Sequence, residues 1–526
     1  MGGVVPARNR LRVLVAVGVA FAAVQVLLLV PRLAPWALAI VAVGVGAAVA
    51  GQAERYPLAS RRLGRATALV LAVGACLIAL GVNVRRVLRE RQALAGVGAA
   101  PSAPNIVVAV LDAVRAEDMG VYGGPVPNTP FFTRAAAQCL TFDHAIAPAS
   151  WTLPSHASMF TGRWASELTA DWAVPLGVGI PVVAEALGAR GYATGAAVGN
   201  YLYTYYEFGL SRGFAHYDDY GISLSESAMR NVVGDHLARG WNAVAHDFVV
   251  PGRKPAERVR TDAMRWVDHV GHRPFFLFLN LYDAHDPYAP PAPWRHAFGP
   301  EPPTRALGTL EQHPDSVAIA GLRTAYQGSI AYLDAQLDSL VSGLRQRGLL
   351  EHTLLIITAD HGEEFFEHGR LQHGNTLYYP SIHVPLMVCP PQGAVAGGRR
   401  VAEPVSLRDL AATDVELSGD SGKAPLPGHS LVGYWRSGSL PCRSKAISFV
   451  RRTPGADQWY RGNAASLTSL VEGRFHYIRT DRGGEELFDI ANDPFERQDL
   501  VAKPDMDSVL ARVRTSLTHA SECAAP

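Results

Sequence analysis

The chain has 526 residues, of which 48% are hydrophobic, so it is long enough for two or three folded units with apolar cores. Its formal net charge of +1 argues against a nucleic-acid partner that is held by bulk charge. The five cysteines are scattered, without a CxxC pair or a Cys/His cluster, which argues against a thiolate zinc site. Cys442 and Cys523 are candidates for a disulfide if the C-terminal part faces an oxidising compartment.

Three apolar stretches lie near the N-terminus, at 11–30, 33–51 and 66–84, and their only charged residue is Arg12 at the start of the first. Each is close to the roughly 20 residues that a helix needs to span a bilayer. A cleaved signal peptide would explain only the first stretch. Residues 1–91 are therefore predicted to form a membrane anchor with three transmembrane helices and the lipid bilayer as partner.

Arginines flanking these stretches predict the orientation of the anchor. Seven arginines lie on the side of the N-terminus and five on the other side: Arg8, Arg10, Arg12, Arg55, Arg61, Arg62 and Arg65 against Arg32, Arg85, Arg86, Arg89 and Arg91. Because basic residues favour the cytoplasmic side, the chain after about residue 90 is expected to lie outside the cytoplasm, at the cell membrane.

A linker rich in Ala, Gly and Pro, residues 92–104, precedes a predicted catalytic domain at 105–415. Four apolar runs predict buried strands at 105–111, 274–280, 353–358 and 384–388. Helical patterns lie between them, at 181–190 and 320–345. This alternation indicates an α/β fold, a mostly parallel sheet flanked by helices.

The composition changes after about residue 415, where short polar segments alternate with Gly and Pro. Residues 416–526 are predicted to form a small C-terminal antiparallel subdomain, with paired strands at 474–478 and 486–489.

Polar side chains follow the predicted strands, where the chemistry of open α/β sheets is usually found. Asp112 follows the first strand, and Asp360 and His361 follow the strand at 353–358. With a hydroxyl oxygen, these side chains would make a four-ligand metal site. Oxygen and imidazole ligands favour Zn or Mn, with Ca possible.

Thr152 precedes Pro154, and proline suits the first turn of a helix. A hydroxyl at such a position faces the positive end of the helix, which favours an alkoxide. The alternative is that Thr152 only caps the helix.

Histidines follow later strands, among them His285, His368 and His373. Near a metal, such histidines can hold substrate oxygens or protonate a leaving group. A lone histidine is more often structural, but several on loops after strands favour a site.

Motifs in the same order resemble the sulfatase family of the alkaline-phosphatase superfamily. The matching segments are residues 104–112, 129–142 (the family's first helix), 152–163 (its signature), 191–194, 358–362, 383–386 and 485–494. The resemblance covers roughly residues 104–500 and implies a metal-dependent ester hydrolase.

Departures from the family pattern concern its central residue. A sulfatase has Cys or Ser where this chain has Thr152, and Arg where it has His156. That Cys or Ser becomes formylglycine, an aldehyde that the extra methyl group of threonine blocks. Ala113 replaces a second aspartate, and the family's lysines have no counterpart near Asn200.

Threonine is the nucleophile in a branch similar to phosphoethanolamine transferases and lipoteichoic acid synthases, which are also membrane-anchored. That resemblance implies Asp112, Thr152, Asp360 and His361 as metal ligands, with Thr152 as nucleophile and His285 and His373 as catalytic residues. The expected substrate is a phosphate ester that is small or lies near the membrane.

Three alternatives stay open at this point: a sulfuric ester hydrolase, a two-metal phosphodiesterase and a non-catalytic membrane binding module.

Overall fold

The computed structural model describes residues 103–519 except for 173, 201, 220–252, 300–314, 392–397, 420–425, 439–444 and 454–463, together with parts of 81–98. The predicted spans at 11–30 and 33–51 and nearly all of 66–84 lie outside these residues, as do Cys442 and Cys523. Within the described residues, no helix combines the length and the apolar composition that crossing a bilayer requires. The described residues from Gln92 onward belong to one compact unit.

A nine-stranded sheet forms the centre of this unit. Its strands are Asn105–Leu111 (β1), Leu140–Ile146 (β2), Ala193–Val198 (β3), His216–Asp218 (β4), Phe275–Leu281 (β5), Thr353–Ala359 (β6), His383–Cys389 (β9), Arg399–Val401 (β10) and Val405–Ser406 (β11). The spatial order is β10-β2-β9-β6-β1-β5-β3-β4, and β11 also pairs with β2. Every residue of β1, β5 and β6 is buried, as their continuous apolar runs predict.

Strand β9 is buried as predicted but runs antiparallel to both of its neighbours, β2 and β6. The chain between β6 and β9 contains a two-stranded hairpin, Glu364–Phe365 (β7) with Leu371–Gln372 (β8), and the single turn Tyr379–Ile382. No long crossover helix occurs there, so the strand returns in the opposite direction. The other pairings in the sheet are parallel.

Helices cover both faces of the sheet. The α-helices described from residue 105 onward are Pro130–Ala136 (α1), Thr152–Thr161 (α2), Val183–Gly188 (α3), Ala256–Val270 (α4), Ser316–Gln346 (α5), Tyr379–Ile382 (α6), Asp409–Leu417 (α7), Val432–Arg436 (α8) and Asp507–Thr518 (α9). In β3, the Cα of Gly195 faces Trp266 of α4, whereas the neighbouring Thr194 faces Gly188 at the end of α3. Since successive strand residues point to opposite faces, α3 and α4 lie on opposite sides.

The predicted helices at 181–190 and 320–345 are observed as α3 and α5. The helix predicted from the family motif at 129–142 is wrong in its second half. It ends at Ala136, and strand β2 begins at Leu140. The two ends of β2, residues 140–142 and 145–146, are buried and pair with β9, so this segment is a strand of the sheet.

A second sheet follows in the C-terminal part, with the antiparallel order β12-β13-β14-β15. Its strands are Ala446–Val450 (β12), Leu467–Glu472 (β13), Phe475–Thr480 (β14) and Glu485–Asp489 (β15). The predicted pairing of the last two is confirmed. This sheet is hydrogen-bonded to the loop before α2, because the Phe449 N–H donates to the Pro148 carbonyl (2.9 Å) and the Ser448 hydroxyl donates to the Ala147 carbonyl (2.6 Å).

A disulfide joins Cys139, just before β2, to Cys389 at the end of β9. The two residues are 250 positions apart in sequence but neighbours in the sheet, since Leu140 pairs with Val388. The bond therefore closes a long loop across adjacent strands, and such closure stabilises mainly by restricting the unfolded chain.

Removal of this disulfide is expected to destabilise the protein. The double variant Cys139→Ser/Cys389→Ser should lose about 2–5 kcal/mol in free energy of unfolding, because a long loop is no longer closed in the unfolded chain. Thermal unfolding of the full chain, followed by intrinsic fluorescence, measures the shift. The unmutated protein treated with a thiol reductant should melt at the same lowered temperature, and equal melting with and without the bond would contradict the expectation.

Candidate active site

Two carboxylates lie side by side at the end of the central strands. Asp112 follows β1 and Asp360 follows β6, and these strands are parallel neighbours with Leu111 opposite Ala359. Both aspartates are completely buried. The structure therefore brings together two acidic side chains that are 248 positions apart in sequence, because parallel strands end at the same edge of a sheet.

Each carboxylate has one oxygen with partners and one without. Oδ2 of Asp112 accepts hydrogen bonds from the side-chain amides of Asn200 (2.8 Å) and Asn280 (3.0 Å). Oδ1 of Asp360 accepts from the backbone N–H groups of Ala113 (3.1 Å) and His361 (3.0 Å). The remaining oxygens, Oδ1 of Asp112 and Oδ2 of Asp360, are buried and have no hydrogen-bond partner.

A ring nitrogen of His361 lies close to these two carboxylates. Its Nδ1 lies 2.9 Å from the carbonyl oxygen of Gly362, which can only accept, so Nδ1 carries the proton and Nε2 keeps its lone pair. Ligand atoms of Asp112, Asp360 and His361 all lie within 4.8 Å of one another. In the described part of the chain this is the only such group of three or more His, Cys, Asp and Glu residues.

The electrostatics of this group fit a bound cation. Burial, and then the nearby Asp360 carboxylate, raises the pKa of Asp112 to about 7. Burial also raises the pKa of Asp360 to about 7 and lowers the pKa of His361. A divalent ion would lower the raised pKa values of the two carboxylates and lower the pKa of His361 further, since it favours the charged carboxylates and the neutral imidazole. Two unpartnered carboxylate oxygens and one imidazole lone pair are thus a donor set that suits a metal.

Gly362 is needed for close packing. A Cβ atom built on it would lie 2.0 Å from the carbonyl oxygen of Pro380, and the Gly362 N–H donates to the Ser381 carbonyl at 2.9 Å. Its φ is not positive, so glycine is required here for space and not for an unusual backbone conformation.

Thr152 is the first residue of α2, and Trp151 occupies the N-cap position. The Thr152 hydroxyl oxygen lies 3.2 Å from Nε2 of His361 and makes no capping hydrogen bond to the helix backbone. The capping role considered from the sequence is therefore not the one observed. The fully buried hydroxyl sits at the positive end of the helix and beside the candidate metal ligands.

His156 occupies the position of the sulfatase arginine, one turn after Thr152. Its Nδ1 donates to the Thr152 carbonyl oxygen at 2.8 Å, and burial lowers its pKa to about 4. The side chain is thus a neutral, buried imidazole that holds the first turn of α2, and it supplies no positive charge.

Two further predicted histidines lie against His361. The ring of His373 is 4.1 Å from that of His361, and the ring of His285 is 4.9 Å from that of His373, measured between centroids. Burial lowers the pKa of both His285 and His373 well below the ordinary value. The third histidine, His368, lies elsewhere, bonded to Glu364 and to the Glu496 carbonyl.

Hydrogen bonds orient both rings. Nδ1 of His373 lies 3.0 Å from Oε1 of Glu363, which is completely buried. Nδ1 of His285 lies 2.9 Å from the Asp286 carbonyl oxygen and 3.0 Å from the Tyr282 hydroxyl. In each ring Nε2 is therefore left to meet a substrate.

An aromatic wall stands beside His373. The ring of Trp151 lies 5.2 Å from that of His373 and stacks on Trp172 at 4.0 Å. Gly374 makes room for this wall, because a Cβ there would lie 2.1 Å from the Trp151 ring, and its φ of +85° also favours glycine.

Several side chains of this site were missed by sequence reasoning. Asn280 is the next-to-last residue of the apolar strand β5, and a polar residue at that place in a buried strand is the signal that could have identified it. Asn200 follows β3, whose small residues ATGAAV gave no strand signal. Glu363 lies two residues after His361, and no sequence pattern distinguishes it from the neighbouring glutamate. Trp151 directly precedes Thr152, but no role was predicted for it.

The role of Glu363 can be tested by two substitutions. Glu363→Ala should lower kcat by roughly ten-fold or more, because the partner that fixes the His373 ring is lost. Glu363→Gln keeps an oxygen that accepts from Nδ1–H and should retain most of the activity. Steady-state rates with correctly folded protein, verified by its melting temperature, measure the difference. Equal losses in both variants would mean that the hydrogen bond to His373 does not matter.

Comparison with known proteins agrees with this geometry. The sequence family described as Sulfatase matches residues 104–419. Arylsulfatase K of Mus musculus is 26% identical over 437 residues, covering 75% of this chain and 75% of that protein. Choline-sulfatase of Rhizobium meliloti (strain 1021) is 28% identical over 262 residues, 45% of this chain and 48% of that protein.

A solved structure has the same fold. The phosphonate monoester hydrolase of Agrobacterium radiobacter superposes with a TM-score of 0.64 at 20% sequence identity, covering 79% of this chain and 95% of that chain. At this identity the likeness concerns the fold. Together with the family match, which spans more than half of the sequence, it leads to one conclusion: the chain belongs to the sulfatase family of ester hydrolases.

Proposed function

We propose that this protein cleaves or transfers phosphate esters with Thr152 as the nucleophile and a divalent metal as the cofactor. The observation that carries the proposal is the position of the Thr152 hydroxyl. It is fully buried, 3.2 Å from Nε2 of His361, at the start of a helix and next to two carboxylates that each keep an unpartnered oxygen.

Asp112, Asp360 and His361 would hold the metal, with the Thr152 oxygen as a fourth ligand. When bound, the ion lowers the pKa of a hydroxyl and offsets negative charge on a phosphate. Zn or Mn suits this mixture of oxygen and imidazole ligands best, and Ca suits it less well because of the histidine.

The reaction would proceed in two displacements. Oγ of Thr152 attacks phosphorus opposite the leaving oxygen, so that one P–O bond forms while the bond to the leaving group breaks. The proton of the Thr152 hydroxyl would pass to the neutral Nε2 of His373 or His285, and the imidazolium so formed would give it to the departing oxygen. Water or an acceptor alcohol then attacks the same phosphorus and releases the Thr152 oxygen, and the same histidine takes the proton of the entering group. Hydrolysis and transfer differ only in which molecule enters.

Sulfate ester hydrolysis is the second candidate, favoured by the names of the relatives. Two residues of this chain oppose it. Threonine at position 152 cannot become the aldehyde that sulfatases use, and His156 supplies no positive charge where those enzymes have an arginine.

The protein is further proposed to be anchored in the cell membrane, with its catalytic part outside the cytoplasm and without a nucleic-acid partner. The apolar stretches at 11–30, 33–51 and 66–84 and the arginines at their ends support the anchor and its orientation. The Cys139–Cys389 disulfide supports an oxidising compartment.

An assay of the purified full chain tests the choice of substrate. Activity is measured with an aryl phosphate diester, an aryl phosphate monoester and an aryl sulfate, each with Zn, Mn or Ca after chelation. Metal-dependent cleavage of a phosphate ester is expected. Cleavage of the sulfate alone would overturn the proposal and restore the usual chemistry of the family.

A further inference from the structure

Exposed apolar side chains are concentrated at one place on the described part of the compact unit. It exposes six large hydrophobic residues, and five of them lie in two short loops: Trp172, Val174, Val178, Leu202 and Tyr206. The sixth, Val317, lies on α5. The five residues are here called the apolar rim. Val178 is 91% exposed and Tyr206 58% exposed, and exposed apolar side chains that are grouped together mark interaction surfaces.

The two loops of the rim form one surface. The Leu176 N–H donates to the Phe208 carbonyl at 3.0 Å, and the rings of Trp172 and Tyr203 lie 6.4 Å apart. The loops are therefore held together by the backbone and by aromatic contact, so the exposed residues belong to a single patch.

The rim is attached directly to the candidate active site. Trp172 stacks on Trp151, which is the N-cap of the helix that carries Thr152. Asn200 makes a second connection, because its Nδ2 donates to Asp112 while its Oδ1 accepts from the Leu202 N–H at 2.9 Å. A molecule that contacts the rim would thus lie next to residues that pack against the candidate site.

We propose that the apolar rim lies in the interfacial layer of a lipid bilayer and brings the active site to the headgroups of membrane lipids. This inference rests on the proposed membrane anchor. The last uncharged stretch ends at residue 84, so only 20 residues separate it from β1, and an extended segment of that length reaches at most roughly 70 Å. Tryptophan and tyrosine are the residues that membrane interfaces favour.

Charges in the rim predict which lipids it contacts. The loop residues 171–178 and 202–208 contain Asp171 and Glu207 and no lysine or arginine. Contact between the rim and the bilayer would therefore depend on apolar side chains, and it does not require anionic lipid. Zwitterionic phosphatidylcholine vesicles are the appropriate probe.

The test places a fluorescent label on the rim of the full chain reconstituted in such vesicles. Val178→Cys carries the label, and Val317→Cys, which replaces an exposed valine on α5 and outside the two loops of the rim, is the matched control. The unmutated chain gives the background from its native thiols. Lipids with a quencher near the headgroup should reduce fluorescence at 178 roughly two-fold, since interfacial groups sit about 5–10 Å deep, and leave the label at 317 unchanged.

Three outcomes would count against the proposals in different ways. Equal quenching of the labels at 178 and 317 in reconstituted protein overturns the contact of the rim with the bilayer and leaves the proposed anchor intact. A chain that does not float with vesicles contradicts the anchor itself. A label at 178 that is shielded only at high protein concentration indicates a second copy or another protein on the rim, which also overturns the bilayer contact. Because quenching reports position and not turnover, none of these results depends on catalysis.

Discussion

Thr152→Ala is expected to lower kcat for phosphate ester cleavage on the order of a thousandfold or more, because the hydroxyl that would form the covalent intermediate is lost. Thr152→Ser keeps that hydroxyl and should retain activity within roughly ten-fold of the unmutated chain. Initial rates measure the loss, and mass spectrometry of acid-quenched protein should find a phosphate on Thr152 in the unmutated chain.

A matched control separates chemistry from packing at this fully buried position. Thr152→Val has nearly the volume of threonine and should be as inactive as Thr152→Ala while leaving the helix packed. If either variant without a hydroxyl turns over at more than a few per cent of the original rate, then water or another residue attacks phosphorus and the threonine mechanism is wrong.

Asp112→Asn is expected to abolish tight metal binding and, at the same time, to stabilise the metal-free protein at alkaline pH. The carboxylate is one of three side chains that would hold the ion, so the metal content should fall to a small fraction. Without a metal, the pKa of Asp112 and the pKa of Asp360 are both raised to about 7 in the folded state. In the unfolded chain both groups return to about 4.

These pKa values determine how stability depends on pH. Between about pH 4 and pH 7 the folded protein holds protons that the unfolded chain has released, so the stability of the metal-free protein falls as the pH rises through this range. Above about pH 7 the fall ends. Asp112→Asn removes one of the two groups, and its metal-free form should therefore melt at a higher temperature than the unmutated protein at pH 8.

Melting curves of the full chain with chelator and with added Mn or Zn, together with metal analysis, measure both effects. Asp283→Asn is the matched control, since Asp283 is also a buried aspartate at the end of a strand but bonds to the Ala256 N–H at 2.9 Å and lies outside the metal group. It should leave the metal content unchanged. Full metal content in Asp112→Asn would exclude Asp112 as a ligand.

The sequence predicted those parts of the site that follow long apolar strands. Asp112 and Asp360 stand where a continuous buried run stops, and this contrast in polarity is visible without a structure. Asn200 was missed because the preceding strand, β3, consists of small residues. The burial of β3 depends on α3 and α4, which cover the strand from both sides. Asn280 was counted as part of its strand. A pattern along the chain cannot show that both amides converge on one carboxylate.

Pairings between distant segments could not be predicted either, because a pattern along the chain does not show which segments lie side by side. The Cys139–Cys389 disulfide depends on β2 and β9 lying side by side, which follows from the antiparallel return of β9. The position of Thr152 within α2 was also uncertain, because Trp151 does not resemble a residue that caps a helix. The predicted division at residue 415 and the roles assigned to the site residues stay predictions.

The second sheet has a consequence for how this family member can change in evolution. Its first strand completes the hydrogen bonding of residues 147 and 148, only four residues before Thr152. Glu496 from the same region accepts from the Tyr379 N–H at 2.7 Å, close to the loop that carries His373. A recombination event that exchanged the C-terminal sheet would remove these partners from the catalytic loops. The two sheets are therefore expected to be inherited as one genetic unit, and new specificities to arise by substitution in the exposed loops around the site.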